Sequence, residues 1–377
     1  MKINTPQYTN KLKKRRSAFV ESPVYFAAPE PYEPKYVPEN ARQYLPLLML
    51  DSGEIPSDIY AQIGIPATTF RGAIAYLKNK GLIRRNFSDS LHTYSLTAAG
   101  KNSIMNAVPY IRTPNVLSAR KRRVRLARLN ACLAGMGVSV FSGGNPPLKG
   151  AVHDMPKLYF YNSFFLKPLV SKHTEMIRRS KAFGLLCACD NNYMVYYEPT
   201  VFGTDFYFEE QIFKEHVSDY IGTNVEDMLL AVDTPEQAVF WLRFLLHHSE
   251  YFYGDRPHDF FDTVRVFVMD KHAHENLFAL LNETKIAKTL YPNFDYDELD
   301  ENKLCFIKGN ERSFFMFTLN VYRLLYIISC AENRPNEKTS IITSQTLEPI
   351  IGKLVKGKPI TVYYYASDKW AEILKNV

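Results

Sequence analysis

Thr68, Thr69 and Arg71 open a run in which Phe70, Ile74 and Leu77 recur at i, i+4 and i+7. That spacing predicts one helix with Phe70, Ile74 and Leu77 on its buried stripe, leaving Thr68, Thr69, Arg71, Ala75 and Lys78 off it. A threonine hydroxyl bonds phosphate or base edges, and a guanidinium offers two parallel N–H groups that match the acceptors of a guanine. Arg84, Arg85 and His92 follow in two strand-like runs, Leu82–Phe87 and Leu91–Leu96, spaced to reach a nucleic-acid backbone or minor groove. Arg120, Lys121, Arg122 and Arg123 begin a second cationic block that runs to Arg128. It reads either as an extension of a phosphate-contacting surface or as a solvated helix face.

Metal-assisted cleavage of a phosphodiester needs clustered carboxylates around a hard cation and a lysine nearby. Three stretches carry parts of that set. Glu301-Asn302-Lys303 lies in an acidic, loop-like run, Glu283-Thr284-Lys285 sits at a helix end, and Asp270-Lys271 lacks the intervening residue. None places the groups on one face of adjoining strands. His272 and His274, with Glu275 beside them, lack the i, i+4 spacing that sets two ligands on one helical face, and His247-His248 ends a helix. No GxGxxG or GxxxxGK[ST] loop is present, and Gly143-Gly144-Asn145-Pro146-Pro147 reads as a turn. No catalytic or metal-ligating residue and no cofactor is assigned.

The elements that must position Thr68 to His92 form a compact series. Tyr44, Leu47, Leu48 and Leu50 predict a helix from Ala41 to about Ser52, although Pro46 falls inside it. Pro56-Ser57-Asp58 opens an expected second helix carrying Ile59, Tyr60 and Ile63, stopped at Gly64. Pro66 begins the third helix and Gly81 ends it. Ser88-Asp89-Ser90 is the turn between the two strand-like runs, and Leu96 to Gly100 closes the series.

Beyond a connector at 102–130, Val124–Leu133 reads as a helix with Leu126, Leu129 and Leu133 on one face and Arg122, Arg125 and Arg128 off it. Strands are expected at Gly137–Phe141, Leu158–Tyr161, Phe183–Cys189, Tyr193–Tyr197, Val264–Met269, Leu304–Ile307 and Ile360–Tyr365. Asp190-Asn191-Asn192 is a hairpin signal. Helices are expected at Thr234–His247, capped by Asp233 or Thr234, at His272–Leu281, and after Ser367 as a cap. The fold class is α+β: three helices and a two-stranded wing, then a mixed α/β half. The division is a basic, Pro-rich tail at 1–38, the helix-and-wing domain at 39–105, a basic connector helix at 106–135, and the α/β domain at 136–377.

Of 377 residues, 46% are hydrophobic, enough for most of the chain to bury a core. The net charge of +7 is concentrated in Lys11–Arg16 and Arg120–Arg128, which suits phosphate better than a diffuse positive surface would. The five cysteines form no CxxC pair; Cys187 and Cys189, in an apolar strand-like run, read as small buried hydrophobes. The first residues lack the apolar core of a signal peptide and no run of about 18 apolar residues occurs, so a reduced, cytoplasmic protein without a membrane partner is expected.

The stretch YLKNKGLIRR, a hairpin, and YSLTAAGK resemble the third helix and wing of bacterial winged-helix proteins. Followed by RLARLNACLAGMGV and SKAFGLLCACDNNYMVYY, the order is similar to the replication-relaxation family of plasmids and integrative conjugative elements. That resemblance implies a winged helix joined to a degenerate restriction-endonuclease-like domain, and an association with plasmid replication and DNA processing for transfer. The expected function is therefore a DNA-binding accessory protein that recognises an origin-type site in double-stranded DNA. A relaxase or replication protein is the expected partner. A winged-helix transcriptional regulator, with an α/β half that senses a ligand or forms a homodimer, and a site-specific endonuclease are the alternatives.

Overall fold

The structure, a computed structural model, describes residues 41–88, 91–104, 116–141, 145–148, 158–170, 177, 179–188, 191–197, 204–251, 261–292 and 304–376. The tail at 1–38, the connector at 105–115, Asp89-Ser90, Gly143-Gly144, Cys189, Asp190 and Glu301–Lys303 lie outside these residues. Among the described residues there are eleven α-helices and three sheets, a mixed α+β architecture. No described helix is long and apolar enough to cross a membrane. The chain divides into two compact units. The first holds the described residues up to 170 with 183–188 and 220–223; the second holds the described residues of 174–182, 191–219 and 224–377.

The first unit begins with α1 (Ala41–Ser52), which runs unbroken through Pro46 and buries Tyr44, Leu45, Leu47, Leu48 and Met49. The expected second helix forms only as a short 3₁₀ turn, and Pro56, its expected start, is not part of it. Ile55–Pro56 instead make a short strand, β1, antiparallel to β3 (Leu91–Leu96), with Ile55 opposite Tyr94 and Pro56 opposite Thr93. Ser57 N–H then donates to the His92 carbonyl at 3.0 Å, and only a single 3₁₀ turn, Ile59–Ala61, remains before Gly64 at φ 66°. Proline is tolerated at an edge strand because its missing donor faces away from the ladder. Pairing with a strand distant in the chain thus overrides a local helix signal at Pro56.

Pro66 stands immediately before α2 (Ala67–Asn79) and supplies an extended φ/ψ of −56°, 140°. Phe70, Ala73, Ile74 and Leu77 form its buried stripe, each of the three large side chains contributing about 1.5–3 kcal/mol of burial. Gly81 at φ 68° turns the chain into β2 (Ile83–Ser88), which pairs antiparallel with β3 in the register Ile83–Leu96 through Ser88–Leu91. A short helix not anticipated from sequence, α3 (Ala98–Ile104), follows. The Thr97 hydroxyl accepts from Gly100 N–H at 3.1 Å and donates to the Gly81 carbonyl at 2.6 Å, so one side chain caps α3 and holds the end of α2. Gly100 itself lies against Leu82, where an added Cβ would sit 1.9 Å from the carbonyl oxygen.

α4 (Leu117–Gly135) is longer than the expected Val124–Leu133. Leu126, Leu129 and Leu133 are buried as expected, but so are Arg120 and Arg123. Gly137–Phe141 is not a strand: only Ser139 bridges to β4 (Tyr159–Asn162). Asn145 takes the neighbouring backbone polarity instead, donating to the Phe160 carbonyl at 2.9 Å and accepting from the Ser139 hydroxyl at 2.7 Å. β4 leads into α5 (Ser163–Val170) and pairs antiparallel with β5 (Gly184–Ala188).

In the second unit β6 (Asn191–Tyr197), β7 (Asp227–Val232) and β8 (Thr263–Val268) run parallel. They are joined through α6 (Thr204–Ile221) and α7 (Pro235–Tyr251). Every residue of β7 and β8 is buried, as parallel strands covered on both faces require. The expected N-cap of α7 is present: the Thr234 hydroxyl accepts from Gln237 N–H at 3.3 Å, and the Gln237 side chain accepts from Asp233 N–H at 2.7 Å. α8 (Ala273–Leu290) continues past its expected end at Leu281, but Asn282 breaks helical geometry there at φ −130°, ψ 18°.

β9 (Cys305–Lys308), β10 (Glu311–Phe315), β12 (Lys338–Ser344) and β13 (Ile360–Tyr365) form a second sheet of the unit, ordered β13-β12-β10-β9. Its three parallel strands are linked through β11 (Leu319–Asn320), α9 (Val321–Asn333) and α10 (Glu348–Leu354). β11 pairs antiparallel with β8. α11 (Ser367–Asn376) begins at Ser367, which is not its cap. The Ser367 N–H and hydroxyl both donate to the Gln345 side chain, at 2.9 and 3.0 Å.

One buried ion pair secures the junction of these layers. The Glu283 carboxylate on α8 accepts from Phe317 N–H at 2.9 Å and Thr318 N–H at 3.1 Å, and meets Arg323 Nη1 at 2.6 Å. Arg323 on α9 also donates to the Phe315 carbonyl at 3.0 Å. Removing one member of such a pair leaves an uncompensated buried charge, so Arg323→Met should lower stability by about 3–5 kcal/mol. Urea unfolding followed by tryptophan fluorescence checks it, since Trp370 packs on Phe317 with ring centroids 4.9 Å apart. An unchanged midpoint would remove the pair from the account of stability.

Candidate nucleic-acid interface

The buried stripe of α2 turns the remaining residues of that helix to solvent. Thr68, Thr69, Arg71, Ala75 and Lys78 are all exposed, the set expected from the spacing. Tyr76 joins them at 40% exposure, with the Arg42 guanidinium of α1 4.3 Å from its ring centroid. Neither Tyr76 nor Arg42 was anticipated; the aromatic type at a non-stripe position was the available signal.

Strand alternation gives the β2–β3 hairpin two faces. Ile83, Arg85, Phe87, His92, Tyr94 and Leu96 share the face that packs on α2, where Tyr94 meets Phe70 at 6.3 Å. Towards the hairpin end of this face, Phe87 is 60% exposed, with Arg85 4.2 Å over its ring and His92 edge-on at 4.9 Å. A cation over an aromatic face, held on a strand, is a guanidinium positioned rather than left to sample solvent. Arg84, although next in sequence to Arg85, belongs to the opposite face with Asn86, Ser88, Thr93 and Ser95. The two arginines therefore leave the strand on opposite faces.

From Ile59 to Ser88 the chain contains no Asp or Glu, while Arg71, Lys78, Lys80, Arg84 and Arg85 are all exposed. Residues 91–104 also lack a carboxylate. A surface of this kind attracts polyanions without an internal competitor for its cations.

The block Arg120–Arg123 behaves differently from a run of surface cations. Arg120 is 9% exposed and Arg123 2%. Arg120 Nε and Nη2 reach the Glu54 carboxylate at 3.1–3.2 Å, and its Nη2 donates to the Thr93 hydroxyl at 2.9 Å. Thr93 donates in turn to Glu54 at 2.7 Å, and Arg123 Nη1 lies 3.9 Å from the same carboxylate. Arg122 stacks on Phe183 at 4.3 Å and donates to the Ser163 hydroxyl at 3.5 Å. Arg128 is held by both oxygens of Asp58, at 2.9 and 2.7 Å. Only Lys121 of Arg120–Arg123 is fully turned to solvent. Positions 120 and 123 are a helical i, i+3 pair directed at one buried carboxylate, so they belong to the core rather than to an outer phosphate-contacting face.

Comparison of the chain with family models, curated proteins and solved structures finds no match. The placement of side chains therefore carries the functional argument.

The residues weighed for other chemistry are dispersed. Glu283 points inward to Arg323, whereas Lys285, two residues on, is exposed. Asp270 accepts from His272 N–H at 2.8 Å in the turn after β8. His272 lies 3.6 Å from Glu275, and burial pushes the His274 pKa below its ordinary value. Burial pushes the Cys187 thiol up to about 12, which keeps it protonated and a poor ligand. Among the described residues no group of three or more His, Cys, Asp or Glu could hold a metal ion.

Glu54→Ala leaves the Arg120 guanidinium buried without its carboxylate, and should cost about 3–5 kcal/mol. Adding Arg120→Met should restore part of that loss, because the double variant removes the stranded charge as well. Thermal unfolding of the single and double variants reads the difference. A double variant no more stable than Glu54→Ala would mean that the charge is not what destabilises.

Proposed function

We propose that residues 41–104 are a winged helix that binds double-stranded DNA, with α2 as the recognition helix and the β2–β3 hairpin as the wing. The observation that supports it best is the exposed α2 face, Thr68, Thr69, Arg71 and Lys78, within a carboxylate-free stretch whose five cations are all at the surface. In a helix-turn-helix arrangement the first residues of the recognition helix approach base edges, which is where Thr68, Thr69 and Arg71 stand. Arg85 and His92, grouped around exposed Phe87, are the wing residues of this reading, and they suit backbone or minor-groove contact. Lys78, farther along α2, suits phosphate.

The wider reading is a DNA-binding accessory protein of a plasmid or integrative conjugative element that recognises an origin-type site for replication or transfer. It rests on the resemblance drawn from the sequence, with a relaxase or replication protein as partner. The test is binding of the full chain to fragments of the surrounding genome at two salt concentrations. Salt-sensitive binding to one fragment well above random DNA supports site recognition. Binding at the random-DNA level to every fragment overturns it.

Arg71→Ala should weaken binding to the selected fragment by about 1–3 kcal/mol while leaving random DNA nearly unchanged. Fluorescence anisotropy against both DNAs measures this. Equal loss on both would assign Arg71 to phosphate instead of base.

A further inference from the structure

The face of the hairpin turned away from α2 overlooks a recess of about 500 Å³. Arg84, Arg85, Asn86, Phe87 and Ser95 of the hairpin line it, together with Arg120, Arg123 and Glu54. Its walls are mostly polar, and the single carboxylate among these residues is already engaged, since Glu54 is buried and takes Arg120 and the Thr93 hydroxyl. A cationic guest finds no free carboxylate here.

The hydrogen-bond arrangement specifies the guest more closely. Ser95 Oγ accepts from Arg84 Nε at 3.3 Å and from Asn86 Nδ2 at 2.9 Å. With both acceptor directions of its oxygen used, the Ser95 hydroxyl has its proton left to donate. Arg84 spends only Nε on the protein among the described residues, and that one bond orients the guanidinium while its terminal nitrogens stay available. A serine O–H, a second amide N–H of Asn86 and the planar fork of Arg84 converge on one wall. Donors in that number, with no uncompensated carboxylate beside them, match a phosphoryl group, and a guanidinium fork meets two of its oxygens at once.

We propose that this recess binds a phosphoryl group carried by a small ligand, with Arg84, Ser95 and Asn86 as its donors and the buried Arg120–Glu54 pair as its fixed floor. Its volume falls in the range of small-ligand sites and accommodates a nucleoside monophosphate. Arg85 and Phe87 reach the edge of the recess, so it adjoins the DNA surface proposed above, but the donors assigned here, Arg84, Asn86 and Ser95, stand on the other face of the hairpin and the assignment does not depend on that reading.

Isothermal titration of the full chain with inorganic phosphate, pyrophosphate and AMP tests the proposal. Saturable binding is expected, weakened tenfold or more by Arg84→Met and also by Ser95→Ala, each with an unchanged thermal midpoint. Tighter binding of AMP than of the inorganic ions would identify a nucleotide site, and the reverse a site for the free anion; both support the recess. Lys369→Ala removes an exposed cation in the second unit and should change nothing. Three results would overturn the assignment: no saturable binding of any probe, binding unaltered by Arg84→Met, or the same loss in Lys369→Ala. DNA binding measured on Arg84→Met separates the two readings. Loss of DNA binding in that variant, with no small-anion binding by the parent chain, would make the recess a contact for a nucleic-acid strand.

Discussion

The first unit depends on a carboxylate that has almost no access to water. Glu54 follows the Gly53 that ends α1, immediately before β1, and is reached by Arg120 from α4 and by Thr93 from β3. A buried charge is tolerable only when its partner and its remaining lone pairs are provided for. That requirement sets the rotation of α4 about its axis, because Arg120 and Arg123 must face inward together. It also sets which face of β3 turns towards α4, because Thr93 must meet the same oxygens. Hydrophobic residues alone would leave both choices more open, since Ala127, Leu126 and Leu129 tolerate small rotations of α4 that a bidentate ion pair does not.

The same pair divides the hairpin into two chemical surfaces. Even-numbered residues from Arg84 to Ser88 stand on the face towards the buried ion pair and the recess beside it, while Arg85 and Phe87 share the α2 side with His92 and meet the recess at its edge. Two adjacent arginines thereby acquire separate tasks in the readings proposed here, one at a small-anion site and one at a DNA surface. A strand enforces this separation at no extra cost, since its side chains alternate by geometry.

The second unit follows the same logic with a different pair. Glu283 meets Arg323 and two backbone N–H groups at the turn between β10 and β11, where chain direction changes and the backbone lacks ladder partners. A carboxylate that serves that turn is not available to hold a cation, which explains why Glu283-Thr284-Lys285, despite its composition, does not form a cleavage centre. Asp227 is likewise engaged by Arg265 at 2.9 Å within the parallel sheet.

Local physics determined much of this chain from its residues alone. The apolar period of Phe70, Ile74 and Leu77 dictates a helix and its buried side, so the exposed positions Thr68, Thr69, Arg71 and Lys78 were legible too. Gly81, the alternation after it and the Ile360–Tyr365 run were read for the same reason: each signal lies within a few residues of the structure it specifies. Pairing across long separations was decided only by the tertiary structure. Ile55–Pro56 became a strand because β3 lay open to it, and β7 and β12 carried no alternation because parallel strands bury both faces. Arg120 and Arg123 read as surface cations, for phosphate or for solvent, since nothing near them in sequence shows that Glu54, 66 residues before Arg120, waits in the core. A charge is placed by its partner, and the partner is chosen by the fold.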